Sequence, residues 1–340
     1  MKGLKFWDKI IFAINSIVAF LLLISFLLPF VPPKSFATVS ALSLGVPILI
    51  ILNILFFVFW VLRIKKQLLL SLVVLILGWS HVKALYKFSS SYTNEDDNNF
   101  TVMSFNVRLF NQYNWIPNKT VREEIIDFLE SESPDIICLQ EYTRGLPIKL
   151  NGYHEFNARY MKNIRPGMAM FSKFPIVNGG SLDFPDSYNN SLFMDVVKGM
   201  DTLRVYNVHL QSSGINPDVE ALKNEPSSGL FSRIKSVFKK QQEQAELLIK
   251  HRSKTDYKTI ITGDFNNTTH SYIYKEIKGD FVDTFEEAGN GFGRTFDFKF
   301  FPFRIDFILV DDNFEVNGFE NYNIKLSDHY PIKATLNLLD

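Results

Sequence analysis

"ITGDFNNT", residues 261–268, runs from β-branched apolar residues into a glycine, a carboxylate, an aromatic ring and two carboxamides. Side chains alternate along an extended chain, so residues two apart point to the same side. Asp264 and Asn266 are two apart, at the end of a segment fit for burial. A carboxylate and an amide held side by side there can work on one substrate atom. The same letters also suit a plain turn, because Gly, Asp and Asn are common turn formers. Other segments have to decide between the two.

Apolar, β-rich runs recur along the second part of the chain: "FTVMSFNV" (100–107), "DIICLQ" (135–140), "GMAMFS" (167–172), "LFMDVV" (192–197), "LRVYNVHL" (203–210), "KTIITGD" (258–264), "RIDFILV" (304–310) and "PIKATLNL" (331–338). All are strand candidates. Apolar residues at 121, 125, 126, 128 and 129 predict a helix that closes before Pro134, and residues 230–252 carry a longer helical pattern. Strands with helices between and outside them indicate a layered α/β fold.

Polar residues collect where these strands end. Asn106 sits inside an apolar strand, Glu141 ends "LQE", and His209 comes late in "NVHL". Asp328 and His329 stand just before the final strand. Each has a plain alternative: a satisfied core amide, a structural histidine, a strand end meeting water. Asp306, between Ile305 and Phe307, is harder to dismiss. An unpaired carboxylate is costly to bury, so it needs a partner such as an imidazole, and Asp328–His329 supplies one. Six independent accidents at the ends of apolar strands are a poor explanation.

The ordered set "FNVR", "LQE", "SKFPI", "NVHL", "GDFN", "RIDFIL" and "SDHYP" resembles the endonuclease/exonuclease/phosphatase family, which includes deoxyribonuclease-like nucleases, abasic-site endonucleases, neutral sphingomyelinases and inositol polyphosphate 5-phosphatases. The resemblance covers essentially all of residues 100–340. It implies a four-layer α/β/β/α sandwich, a site at one rim between the two sheets, and a divalent metal, usually Mg2+ (or Mn2+). Carried onto these residues, it makes Glu141 a hard-oxygen metal ligand, with Asn106 beside it and Asp328 as a further ligand. Asp264 orients and deprotonates a water, Asn266 donates to the phosphate, and His209 is a second donor. His329 contacts a phosphoryl oxygen while Asp306 holds its ring and favours its charged form. All the positions are filled, so a working enzyme is expected rather than a non-catalytic binding module.

The first hundred residues lie outside this resemblance. Residues 10–33 and 36–62 are long uncharged apolar stretches, and a shorter one covers 68–79. Crossing a bilayer core takes roughly 20 predominantly apolar residues. Three spans are expected, at about 10–31, 38–62 and 67–82, within a membrane anchor of residues 1–86, followed by a polar linker at 87–99 and the catalytic domain at 100–340. A signal peptide is excluded by the length of the first stretch and by the second that follows at once. Lys2, Lys5 and Lys9 precede the first span, and Arg63, Lys65 and Lys66 crowd the turn after the second. The positive-inside tendency puts both in the cytoplasm, and three crossings then deliver the catalytic domain to the outer side.

The chain carries 36 Lys/Arg and 36 Asp/Glu, of which the first 99 residues hold nine and four, leaving 27 against 32 in the rest. That part lacks the basic footprint of a tight nucleic-acid binder, so a membrane-tethered endonuclease is the second reading, behind a hydrolase of lipid-headgroup or other extracytoplasmic phosphate esters. The single cysteine, Cys138, forms no intramolecular disulfide. The apolar and basic residues of 227–240 suit either a helix on a membrane surface or one packed on the domain's own sheet, and the second is preferred. "FDFKFFPF" (296–303) suits a hairpin edge or a rim for membrane or substrate. No protein partner is inferable; the expected partners are the lipid bilayer and a phosphate-ester substrate.

Overall fold

The apolar alternation of the strands sorts their side chains into three cores. A computed structural model describes residues 4–88, 96–143, 147–157, 167–214, 227–299 and 301–339. One sheet runs, in spatial order, Phe314–Asn321 (β11), Ile332–Leu338 (β12), Phe100–Asn106 (β1), Ile136–Tyr142 (β2), Gly167–Ser172 (β4) and His154–Asn157 (β3). The other runs Ile176–Ser181 (β5), Asn190–Lys198 (β6), Asp201–His209 (β7), Lys258–Asp264 (β8), Asp306–Val310 (β10) and Val282–Asp283 (β9). Val102, Cys138, Val205, Ile260 and Ile308 fill the space between the sheets. Their neighbours of opposite parity, Met103, Phe105 and Leu139, pack under the helix Val121–Glu132 (α6). Tyr206, Val208 and Ile261 pack under Ser227–Arg252 (α7) and Tyr272–Lys278 (α8). These four layers are the expected α/β/β/α sandwich.

Gly263 in the opening motif has a backbone reason. Its φ is +131°, and a Cβ there would fall 2.0 Å from the carbonyl oxygen of Val208 on the paired strand. Only glycine allows β7 and β8 to approach this closely.

The N-terminal part begins with Phe6–Ser25 (α1), then Pro33–Ser40 (α2), a 3-10 turn at Ala41–Gly45, and Val46–Leu62 (α3). Two helical stretches, Phe6–Phe30 and Pro33–Leu62, are long and apolar enough to cross a membrane. The third apolar stretch, expected as one crossing over 67–82, is broken. Leu68–Leu77 (α4) ends at Gly78, and Trp79–Leu85 (α5) leaves at 79°. A Cβ at Gly78 would strike the Phe26 ring, 2.1 Å away, so the turn is made where the chain can press on α1's end. Polar side chains tie the helices together: Asn15 donates to Ser71 Oγ at 2.8 Å, Trp60 donates to Asn15 Oδ1 at 3.0 Å, and Arg63 holds both oxygens of Asp8. Such pairs join helices where lipid offers no hydrogen bonds. Of the expected linker, residues 89–95 lie outside the described residues.

Among the described residues, the apolar face of α7 packs over its first turns on the N-terminal part rather than on the domain's own sheet. Leu230, Phe231, Ile234 and Phe238 pack on Ala41 and Leu44 of the N-terminal part. Lys34 adds a backbone N–H to Gln242 Oε1 at 2.8 Å and an ion pair to Glu246. The aromatic stretch behaves alike: Phe298, Phe301 and Phe303 pack among Val46, Ile50, Val82 and Leu85.

Candidate active site

Strand parity brings the polar residues to one rim. On β1, Phe100 and Val102 face the inter-sheet space, so Asn106 does too; on β7 Leu203 and Val205 carry His209 the same way; on β8 Ile260 carries Asp264. On β10 Ile308 and Val310 place Asp306 there. His209 and Asp306 both pair across from Asp264 in register. Glu141 has the wrong parity, because Ile137 and Leu139 face α6. A β-bulge between Gln140 and Tyr142, with Glu141 at φ +49°, turns its carboxylate back to the rim.

Asp264 is the centre. It is 1% exposed. Its Oδ1 accepts the Asn266 backbone N–H at 2.8 Å, and its Oδ2 accepts the side-chain amides of Asn106 and Asn266, each at 3.1 Å. Burial pushes its pKa up to about 8; the His329 imidazolium pulls back, and Asp306 adds to the push. Asn266 adopts φ +50° and gives its second amide hydrogen to the carbonyl of Leu210 at 3.1 Å. In this arrangement both its donors are engaged, so it orients Asp264 rather than offering a free donor to phosphate.

His329 Nδ1 lies 2.9 Å from Asp306 Oδ2, and its Nε2 lies 3.7 Å from Asp264 Oδ2. Burial works against its charged form, but the two carboxylates outweigh it and raise its pKa to about 10. Asp306 is held by its own N–H to Thr295 Oγ1 at 3.0 Å. His209 differs. It is 2% exposed, and burial, then the charge of His329, lowers its pKa to about 3, leaving a neutral ring. Its Nε2 has no hydrogen-bond partner among the described residues and faces Asp264 Oδ2 at 3.6 Å and Glu141 Oε1 at 4.0 Å.

Glu141 receives one long hydrogen bond, from Asn106 Nδ2 at 3.4 Å, and burial together with Asp328 raises its pKa. Asp328 pairs with Arg108 Nε at 3.1 Å. Four carboxylates at this rim face two cations, Arg108 and His329; with all four ionised, the excess of negative charge equals that of one divalent ion, and burial opposes that ionisation at Asp264 and Glu141 until a cation is bound. With hard oxygen donors at Glu141 and Asp328, this set suits a hard divalent cation. Asn106 is less free, because its Oδ1 accepts the Arg108 backbone N–H at 3.1 Å. Asp264, Asp306 and His329 also lie close enough to form a buried Asp/Asp/His group, but the 2.9 Å contact occupies Nδ1 of the ring.

Several supports had no assigned role in the sequence reading. Arg108 opens a turn of four residues, 108–111, with φ between 41° and 57°, a left-handed conformation that disfavours side chains by roughly 1–2 kcal/mol each. Ser327 Oγ donates to the Asn106 carbonyl at 2.7 Å. Gln241 on α7 donates to the carbonyls of Gln211 and Asn266, fixing the loop after β8. Beneath the site Gln140 donates to Asn207 Oδ1 at 2.7 Å across the two sheets. The motifs held a signal for most of these: "FNVR" includes Arg108, "LQE" Gln140, "NVHL" Asn207 and "SDHYP" Ser327, while Gln241 lies outside them all.

The site opens into a cavity of about 350 Å³, bounded by Glu141, Asp264, Asn266, Asp328 and His329 on its polar side.

A family model described as Endonuclease/Exonuclease/phosphatase family matches residues 103–329. A second, described as a domain of unknown function, matches residues 8–85. No curated protein matches the chain. Among solved structures, the human nocturnin catalytic domain with bound sulfate is similar at 14% identity and a TM-score of 0.55, over 75% of this chain and 98% of that one. An endonuclease/exonuclease/phosphatase from Bacteroides vulgatus is similar at 19% identity and 0.54, over 71% and 99%. The mannosyl-6-phosphatase from Bacteroides thetaiotaomicron is similar at 21% and 0.51, over 70% and 99%. At these identities the likeness is one of fold. Every residue gathered at the rim, from Asn106 to His329, falls inside the stretch that the family model matches, and the chain belongs to the endonuclease/exonuclease/phosphatase family of phosphate-ester hydrolases.

Proposed function

We propose that this chain is a membrane-anchored, divalent-metal-dependent hydrolase of phosphate esters, with its catalytic domain on the outer side of the membrane. The observation that carries the chemistry is the buried Asp264 carboxylate, fixed by three hydrogen bonds beside the imidazolium of His329. Asp264 takes a proton from water; the water oxygen forms the new bond to phosphorus as the bond to the leaving oxygen breaks, and solvent protonates the leaving oxygen. His329 neutralises charge developing on a non-bridging oxygen, and Asp306 keeps its ring charged. His209 offers a neutral edge to the phosphate or leaving group. Glu141, with Asp328 and Asn106 beside it, would hold Mg2+ or Mn2+, which supplies positive charge to the phosphate and leaving oxygens.

Helix contacts support the outer placement. Asp8 meets Arg63, Asn15 meets Ser71, and Phe26 stacks on His81 at 4.8 Å. The third segment therefore climbs alongside α1, and the domain joins the bundle at the end opposite the N-terminus. The basic residues Lys5, Lys9, Arg63, Lys65 and Lys66 mark that N-terminal end as cytoplasmic.

The test is turnover by the full-length protein in detergent of p-nitrophenyl phosphate, bis-p-nitrophenyl phosphate and plasmid DNA, with magnesium, manganese or chelator. Metal-dependent release of p-nitrophenol that Asp264→Asn abolishes is expected. No turnover of any substrate with either metal would refute the reading and leave a binding module. Preference for plasmid would favour the endonuclease.

A further inference from the structure

The cavity at the active site has two unlike halves. One carries Glu141, Asp264, Asp328 and His329. The other is apolar, and part of it comes from the anchor: Leu44 in the 3-10 turn and Ile48 in the first turn of α3 face Leu230 and Phe238 of α7 and Phe298 and Phe303 of the aromatic stretch. Ile48 is 48% exposed and belongs to the stretch Pro33–Leu62, which is long and apolar enough to cross a membrane. The catalytic carboxylates thus share one chamber with the residues at which an apolar, bilayer-length helix begins.

We propose that the substrate is a phosphate ester carrying an apolar chain, drawn from the outer leaflet. Its phosphate lies at Asp264 and His329, and its first methylenes lie over Ile48, Leu44 and Phe298 before the chain enters the bilayer along α3. This rests on the phosphoesterase reading and adds the substrate class to it. A volume of about 350 Å³ is at the small end for ligand pockets, so it admits a phosphate and a short length of chain, and the bilayer takes the rest. Ser212, Ser213, Asn267 and Thr268 line the polar side of the cavity with the carboxylates, so hydroxyls and ring nitrogens find partners there; turned against the apolar wall they find none, a cost that an alkyl chain avoids. The aromatic stretch belongs to the same surface: Phe298 and Phe303 line the chamber while also packing on the anchor with Phe301. The anchor is therefore a wall of the site as well as a tether.

The test uses the full-length protein in lipid nanodiscs with magnesium. The substrates are alkyl p-nitrophenyl phosphate diesters and alkyl phosphate monoesters from methyl to dodecyl, each below its critical micelle concentration, with a single-stranded oligonucleotide as competitor. The wild type should gain roughly fourfold in kcat/KM for each of the first buried methylenes. Partition into the nanodisc raises long-chain rates in every variant alike, so the assignment rests on Ile48→Asn and Leu44→Asn. Each should lower the ratio of dodecyl to methyl rates at least tenfold, and that internal ratio cancels any loss of folded enzyme. Equal ratios in wild type and both variants, or faster cleavage of the oligonucleotide than of any alkyl ester, would overturn the substrate class and leave the phosphoesterase reading standing. No hydrolysis of any of these substrates would overturn both.

Discussion

Replacing Asp306 by asparagine removes the nearer of two carboxylates that keep the His329 ring protonated. Asp306 Oδ2 lies 2.9 Å from Nδ1, whereas Asp264 Oδ2 lies 3.7 Å from Nε2. At an effective dielectric of about 20, a unit charge pair at that nearer distance interacts by about 6 kcal/mol. Each 1.36 kcal/mol moves a pKa by about one, so the ring's value should fall by roughly four. Starting from about 10, it should arrive near the ordinary histidine value. Linkage gives the sign for stability. The folded value lies above the unfolded one of about 6.5, so the native protein holds this proton more tightly. That stabilisation is complete below the unfolded value and is lost as pH rises through about 10. The deficit of Asp306→Asn should therefore be largest at acid and neutral pH and fade towards pH 10. Its alkaline activity limb should move down with the ring. Asp264→Asn should differ, abolishing activity at every pH because no base remains. The measurement is NMR of Cε1-labelled histidine on the chelated full-length protein, where six histidines are few enough to assign with a His329→Gln control, alongside pH–rate profiles. A variant ring that still titrates above about pH 9, or two variants with the same flat loss, would refute the division between water-activating and ring-holding carboxylates.

Three further outcomes follow from the geometry. Glu141→Gln should weaken magnesium binding and cut turnover at least a hundredfold while melting within a degree or two of wild type, because the side chain is partly exposed; equal activity across a magnesium titration would remove it as a ligand. Gly263→Ala should cost about 3–5 kcal/mol, the scale of severe single-site damage, since its Cβ would press on the Val208 carbonyl; a thermal melt within experimental error of wild type would contradict the close approach of β7 and β8. A periplasmic-type reporter fused after Asp340 should be active only on the outer side, and a cytoplasmic signal would mean that the bent third segment returns the chain.

Strand visibility in the sequence followed position in the sheets. The eight runs legible by apolar pattern are the eight inner strands, buried on both faces or paired on both sides. The four that went unseen, β3, β5, β9 and β11, are the four edges. Edge strands carry polar and glycine residues, such as "IVNGGS" (176–181) and "HEFN" (154–157), that blunt unwanted pairing and erase the apolar signal. The site was legible where parity carried it, at Asn106, His209, Asp264 and Asp306. Glu141 could be named from its motif, but the bulge that aims it has no composition of its own. The break at Gly78 was hidden because glycine is common in apolar helices, and only the ring of Phe26 pressed against it shows why it is there. Pattern alone showed that 227–240 has an apolar face; what that face touches depends on Ala41 and Leu44, almost two hundred residues away in the chain.

That contact has a consequence for anyone preparing the protein. A fragment cut to begin at residue 100 would keep the sandwich but leave Ile234, Phe238 and Phe301, all under 10% exposed in the whole chain, bare to water. Burial of side chains of this kind contributes roughly 1.5–3 kcal/mol each, and a contiguous apolar patch of that sort drives aggregation. The truncated domain should therefore elute as soluble aggregate on gel filtration and bind detergent, unless those three positions are made polar. A catalogue of inhibitors or substrates collected on such a fragment would describe an enzyme whose chamber has lost one side.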